Sequence, residues 1–251
     1  MISRTLDRIP GVRCYDELLN TLRRSDEFTD SESYLAFDGK TSGRWRRQLM
    51  PARSKLRYLE STLKGTADVQ QAVGFKLMDN HLTLRSTWNR VLYWSPSAMS
   101  RLRSPALKAW LLHNDVRVLH CVRENVLNLL VSNIRARETG IYHAVTTPDQ
   151  TKVSIPTLLL YQRITQLSKG QRAAASYFEE LEHLTIRYED PWESKMTSIG
   201  ELLGIKGLEA AAPSLVKVGA DLSHSVRNYE EVCAILQNTE HAWMLGEQSA
   251  S

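Results

Sequence analysis

Cysteine is scarce in this chain. Cys14, Cys121 and Cys233 stand far apart, with no CxxC pair and no Cys/His group at zinc spacing. A disulfide framework and a structural zinc site are thereby excluded, and the sequence offers no metal site. An odd number of unframed cysteines points to a reducing compartment. Long hydrophobic runs are also missing: nothing approaches the roughly 18 apolar residues of a membrane-spanning helix. Met1 to Arg8 mixes apolar with polar residues and includes Asp7, which suits neither a secretory signal nor a transit peptide. The expectation is a soluble cytoplasmic protein. HExxH, GxSxG, GxxxxGK[ST] and GxGxxG are all absent, so the commonest short catalytic and nucleotide signatures do not apply. There is no internal repeat, low-complexity tract or inter-domain linker.

What is present suits one folded α/β domain spanning residues 1–251. Hydrophobic residues make up 42% and charged residues 24%, enough for a sizeable core and too apolar for wholesale disorder. Lys and Arg number 32 against 28 Asp and Glu, a formal charge of +4. That mild basicity suits a polyanionic ligand without singling out nucleic acid.

Short apolar runs alternate with helical patterns, and hairpin signals are missing, which predicts βαβ units and a parallel sheet. Ile2, Leu6 and Ile9 recur at helical spacing until Pro10-Gly11. Strands are predicted at Val12–Tyr15, Ala72–Met78, Val116–Val122 and Leu184–Tyr188. Helices are predicted over Thr83–Trp94, Ser97–Leu112, Glu124–Glu138, Pro191–Leu203 and Asn228–Leu236, with a long helical stretch over Pro156–Glu182 broken near Gly170. Gly43–Leu63 is rich in Arg and Lys with Trp45 and Tyr58 interleaved. It reads as the solvated face of a helix, the alternative being a nucleic-acid-binding surface.

Four places could carry chemistry. Arg123 follows the strand ending at Val122, and Ser132 lies nine residues on. Parallel sheets gather ligands at the carboxyl ends of strands, and a guanidinium with a hydroxyl could hold a phosphate. Spacing alone favours local capping or a salt bridge. Glu17 follows a strand and reads either as a general base with a raised pKa or as an acidic helix-start residue. Lys76 sits inside the apolar run Ala72–Met78, so it needs a partner or ligand, or snorkels from an edge. Arg187-Tyr-Glu-Asp-Pro191 reads as structural, with Glu189 or Asp190 capping the next helix and Arg187 paired to Glu189.

In order along the chain stand Pro10-Gly-Val-Arg-Cys-Tyr-Asp-Glu-Leu-Leu-Asn20, Val73-Gly-Phe-Lys-Leu-Met78 and Val118-Leu-His-Cys-Val-Arg-Glu-Asn-Val-Leu-Asn-Leu-Leu-Val-Ser132. Ala136, Thr139-Gly140, Arg187-Tyr-Glu-Asp-Pro191 and Asn228-Tyr-Glu-Glu-Val232 follow. The ordered series resembles the sulfotransferase family, in particular bacterial carbohydrate and nodulation-factor sulfotransferases. The resemblance implies a P-loop-like α/β fold and 3′-phosphoadenylyl sulfate as sulfuryl donor, with a carbohydrate or glycolipid acceptor and no metal. It implies that Arg123 and Ser132 bind the donor's 3′-phosphate, that Glu17 is the base, and that Lys76 lies near the donor. Lys217 is implied to reach the nucleotide through a mobile loop.

The chain departs from the family in two places. Asp16 replaces a glycine beside the base, which reduces backbone freedom at that turn. The family's opening strand and Gly/Ser/Thr-rich loop, which cradles the 5′-phosphosulfate with backbone amides, would lie before Met1. Ile2–Ile9 matches the helix after that loop. The expectation is a sheet without one central strand and, in the chain as it stands, weakened donor binding. A catalytically impaired binding relative is the alternative.

Overall fold

The computed structural model describes residues 2–15, 52–67, 71–76, 105–140, 151–213 and 221–246. Helix α1 (Ile2–Leu6) leads through a tight turn into β1 (Val12–Tyr15). Helix α2 (Ala52–Ala67) precedes β2 (Ala72–Phe75), and α3 (Pro105–His113) precedes β3 (Val118–Val122). Then come α4 (Val126–Thr139), α5 (Leu160–Phe178), β4 (His183–Arg187) and α6 (Trp192–Leu203). After a 3₁₀ turn at Leu208–Ala210, α7 (Leu222–Ser225), α8 (Tyr229–Leu236) and a second 3₁₀ turn at Ala242–Leu245 close the fold.

The strands form two parallel pairs, β1 with β2 and β3 with β4. Alternation along each strand sorts the side chains onto two faces. Val12 and Ile186 pack with Leu6, Met196, Ile199 and Leu208, which puts α1 and α6 over one face of both pairs. On the other face Tyr15, Phe75 and Val118 pack with Leu59, Leu107, Leu111 and Phe178 from α2, α3 and α5. The two strand pairs are therefore held between shared helical layers, with helices on both faces as parallel strands require.

Local chemistry sets the helix ends. The Asn125 side chain accepts a hydrogen bond from the Asn128 amide (3.0 Å) and starts α4, and Gly140 at φ 72° ends it. Helix α5 runs unbroken through Gly170, contrary to the expected break there. A helical glycine costs about 1 kcal/mol. Burying Leu160, Ile164 and Phe178 stabilises by roughly 1.5–3 kcal/mol each, so packing outweighs the glycine.

A third cluster gathers α4, α5, α7 and α8 around Leu127, Ile155, Leu160, Ile164 and Leu236. Asn228 fastens the Val153–Ile155 segment onto it. The Asn228 Oδ1 accepts from the Ile155 amide (3.0 Å), and its Nδ2 donates to the Ile155 carbonyl (2.9 Å). A parallel bridge between Val153 and Val226 extends the seam. Removing the amide strands a buried main-chain pair, so Asn228→Ala lowers stability by about 1–3 kcal/mol. Chemical denaturation of the two proteins measures this as a fall in midpoint.

Several expectations are corrected. Strand β2 ends at Phe75 and is half-buried, so Lys76 stands just past the strand instead of inside a buried run. Arg187 does not pair with Glu189; its Nε lies 3.2 Å from Glu124 Oε1. Both groups are exposed, so the pair is worth only about 0–1 kcal/mol. Glu189 instead accepts from the Glu124 amide (3.2 Å), which ties β3's exit to β4's. Neither Glu189 nor Asp190 caps α6: Pro191 stands at its N-cap, and Asp190 accepts from the Arg187 amide (3.2 Å). The expected helix over 83–94 lies outside the described residues, as do 43–51 of the basic stretch. No helix among the described residues is long and apolar enough to cross a membrane.

Candidate functional site

Within each pair the strands run parallel, so their carboxyl ends share one edge. Lys76 follows β2, Arg123 follows β3 and Tyr188 follows β4. All three line one large cleft, of about 1870 Å³, that runs between the two strand pairs. Apolar residues of the strands and helices form its walls, and the strand ends give it a cationic rim.

Arg123 is the central feature of that rim. Its guanidinium lies over the Tyr188 ring, 4.3 Å from the centroid. Its Nε is buried with no hydrogen-bond partner, and Arg123 forms no salt bridge among the described residues. Burial pulls the guanidinium below its ordinary pKa, while Tyr188 and Glu189 oppose that shift. An arginine remains charged even so. A half-buried cation with an orphaned donor, held flat on an aromatic ring, is poised for an oxyanion. The local-salt-bridge reading of Arg123 does not describe this geometry.

Its surroundings fix the arginine from two sides. Gln171 on α5 donates to the Arg123 carbonyl (2.9 Å), which holds the turn after β3. Lys195, on the first turns of α6, donates to the Tyr188 carbonyl (2.6 Å), and its Nζ lies 5.6 Å from the same ring. Two cations thus converge on Tyr188. Lys76 is half-buried, and its amide donates to the Tyr15 carbonyl (3.0 Å). Cys121 opens to the cleft yet is ringed by protein, so desolvation pushes its thiol up. Lys195 and Lys76 both pull that thiol the other way, which puts the two lysines within electrostatic reach of the same strand.

The structure brings Arg123 and Lys76 to one cleft but does not bring Ser132 to its wall. Ser132 is half-buried on α4, and the cleft-lining positions beside it are Leu130, Asn133 and Ile134. Glu17 and Lys217 lie outside the described residues. Sequence reasoning missed Tyr188, Lys195 and Gln171. Tyr188 carried a signal, since it follows a predicted strand as Arg123 does. Lys195 and Gln171 carried none, because each reaches the site from a helix whose rotation only packing sets.

No family model, curated protein or solved structure matches this chain.

Proposed function

We propose that this chain is a P-loop-like sulfotransferase that moves a sulfuryl group from 3′-phosphoadenylyl sulfate to a hydroxyl of a carbohydrate or glycolipid. The observation that carries the reading is Arg123: a cation at a strand's carboxyl end, stacked on Tyr188, with a buried Nε that has no hydrogen-bond partner among the described residues. Phosphate oxygens match a guanidinium fork, and an adenosine bisphosphate supplies them. The parallel pairs between helical layers agree with such a fold, and the ordered motifs agree with the family.

In this reading Arg123 holds the 3′-phosphate, with Lys217 as a further donor, while Ser132 stands off the cleft wall. Glu17 accepts the proton of the attacking hydroxyl. The acceptor oxygen forms a bond to sulfur while the bond from sulfur to the 5′-phosphate oxygen breaks, and that phosphate leaves with the electron pair. Lys76 stabilises the negative charge developing there. As in phosphoryl transfer, positioning and charge stabilisation dominate such an in-line displacement. The reaction needs no metal.

Calorimetric titration with 3′-phosphoadenosine 5′-phosphate tests the donor assignment, and transfer of labelled sulfate to glycan acceptors tests the reaction. Saturable binding at micromolar concentrations is expected. Absence of binding removes the donor assignment, whereas binding without transfer identifies a catalytically impaired relative. Salt-steep binding to unrelated oligonucleotides in place of the nucleotide would instead mark a nucleic-acid-binding module.

A further inference from the structure

Arginine is the commonest charged residue along the cleft: Arg13, Arg117, Arg123, Arg137, Arg163 and Arg187 all line it. Three of them are spent on carboxylates. Arg13 pairs with Asp7 (3.0 Å), Arg117 with Glu182 (2.9 Å) and Arg187 with Glu124 (3.2 Å). The other three, Arg123, Arg137 and Arg163, form no ion pair among the described residues. Arg123 belongs to the nucleotide reading. Arg137 and Arg163 do not, and both stand on the wall that α4 and α5 build.

That wall is continuous. Gln171, late in α5, meets the Arg123 carbonyl ahead of α4. Ile134 and Leu167 pack against one core cluster, and both line the cleft. The helices therefore run antiparallel, with the early turns of α5 beside the late turns of α4, and Arg163 and Arg137 lie toward the same end. From Gln171 back to Arg163 is roughly 12 Å along the axis, at about 1.5 Å per residue. Asn133 and Gln166 line the cleft between these ends, and no Asp or Glu of either helix does.

An exposed arginine such as Arg137 is well served by water alone. Arg163 is half-buried, so it gives up part of its hydration and gains no carboxylate in return. A charge so placed calls for an anion from outside the chain.

We infer that the α4–α5 wall is a groove for an acidic glycan, whose carboxylate or sulfate groups pair with Arg137 and Arg163 while its hydroxyls meet Asn133 and Gln166. Guanidinium forks match both oxyanions, and side-chain amides both donate and accept, as sugar hydroxyls require. Single-stranded nucleic acid fits less well, because its bases need aromatic rings to stack on. Helix α4 has none, and the part of α5 that lines the cleft has none before Phe178. The inference deepens the proposed function by making the acceptor acidic. It rests on that reading for the carbohydrate class of the ligand, whereas the unpaired arginines stand without it.

Calorimetry on the full chain compares a heparin-derived hexasaccharide with the neutral chitin hexasaccharide. The acidic sugar is expected to bind roughly tenfold more tightly or better. Arg137→Gln with Arg163→Gln is expected to remove that preference, and Arg137→Gln alone, on an exposed side chain, to remove part of it. Lys169→Gln with Arg172→Gln takes the same charge from exposed positions of α5 outside the cleft, and is expected to change affinity by less than about twofold. Equal affinity for the two sugars would overturn the inference. So would equal losses in the two double variants, which would show an effect of net charge alone. A thymidine oligonucleotide that outbinds the acidic sugar through the same arginines would overturn the glycan assignment. Absence of 3′-phosphoadenosine 5′-phosphate binding, with the glycan preference kept, would remove the transferase reading and leave the groove standing.

Discussion

Glu17→Gln is expected to lower turnover by about 10²–10⁴-fold while nucleotide binding stays within about twofold. The substitution keeps the shape of the side chain and removes only its capacity to take a proton. Glu17 lies two positions beyond Tyr15, the last residue of β1. Steady-state transfer rates read against calorimetric affinity for 3′-phosphoadenosine 5′-phosphate separate the two effects. Weakened binding with turnover retained would assign Glu17 to the nucleotide and leave the base elsewhere.

Arg123→Ala is expected to do the reverse. A hydrogen bond to a charged group contributes roughly 1.5–3 kcal/mol, so affinity for 3′-phosphoadenosine 5′-phosphate falls about ten- to a hundredfold. The loss is confined to binding, because Arg123 forms no salt bridge among the described residues whose rupture would unfold the chain. Adenosine 5′-phosphate, which lacks the 3′-phosphate, serves as the control: its affinity should scarcely change on substitution. Arg123→Lys keeps the charge but loses the fork and the stacking on Tyr188, so it should recover only part of the affinity. An alanine variant that binds both nucleotides as the parent does would remove Arg123 from the site.

Much of the architecture was legible because it is local. Strand β1 falls on the predicted Val12–Tyr15, and the β3–α4 unit follows from a β-branched run and Gly140, while the Asn125 cap emerges only in the structure. The position of Arg123 at a strand end follows directly from that unit, whereas Lys76, expected inside the run Ala72–Met78, stands just past the end of β2. Gly170 misled because a propensity penalty is small beside the burial of the residues around it. The Arg187 pairing misled for another reason. Side chains two residues apart share a face of a strand, but here the chain leaves β4 at Tyr188, and Glu124 arrives from the neighbouring strand.

By itself, then, the sequence determined an α/β chain of short strands and amphipathic helices, mildly basic and without cysteine- or metal-based chemistry in its motifs. Periodicity and capping act over a few residues, and those are written directly in the order of side chains. Tertiary structure alone decided which strands pair, that Lys76, Arg123 and Tyr188 line one cleft, and that Arg123 rests on Tyr188 beside Lys195. Those relations join residues tens of positions apart. They depend on how the helical layers close over the strands, which no local pattern encodes.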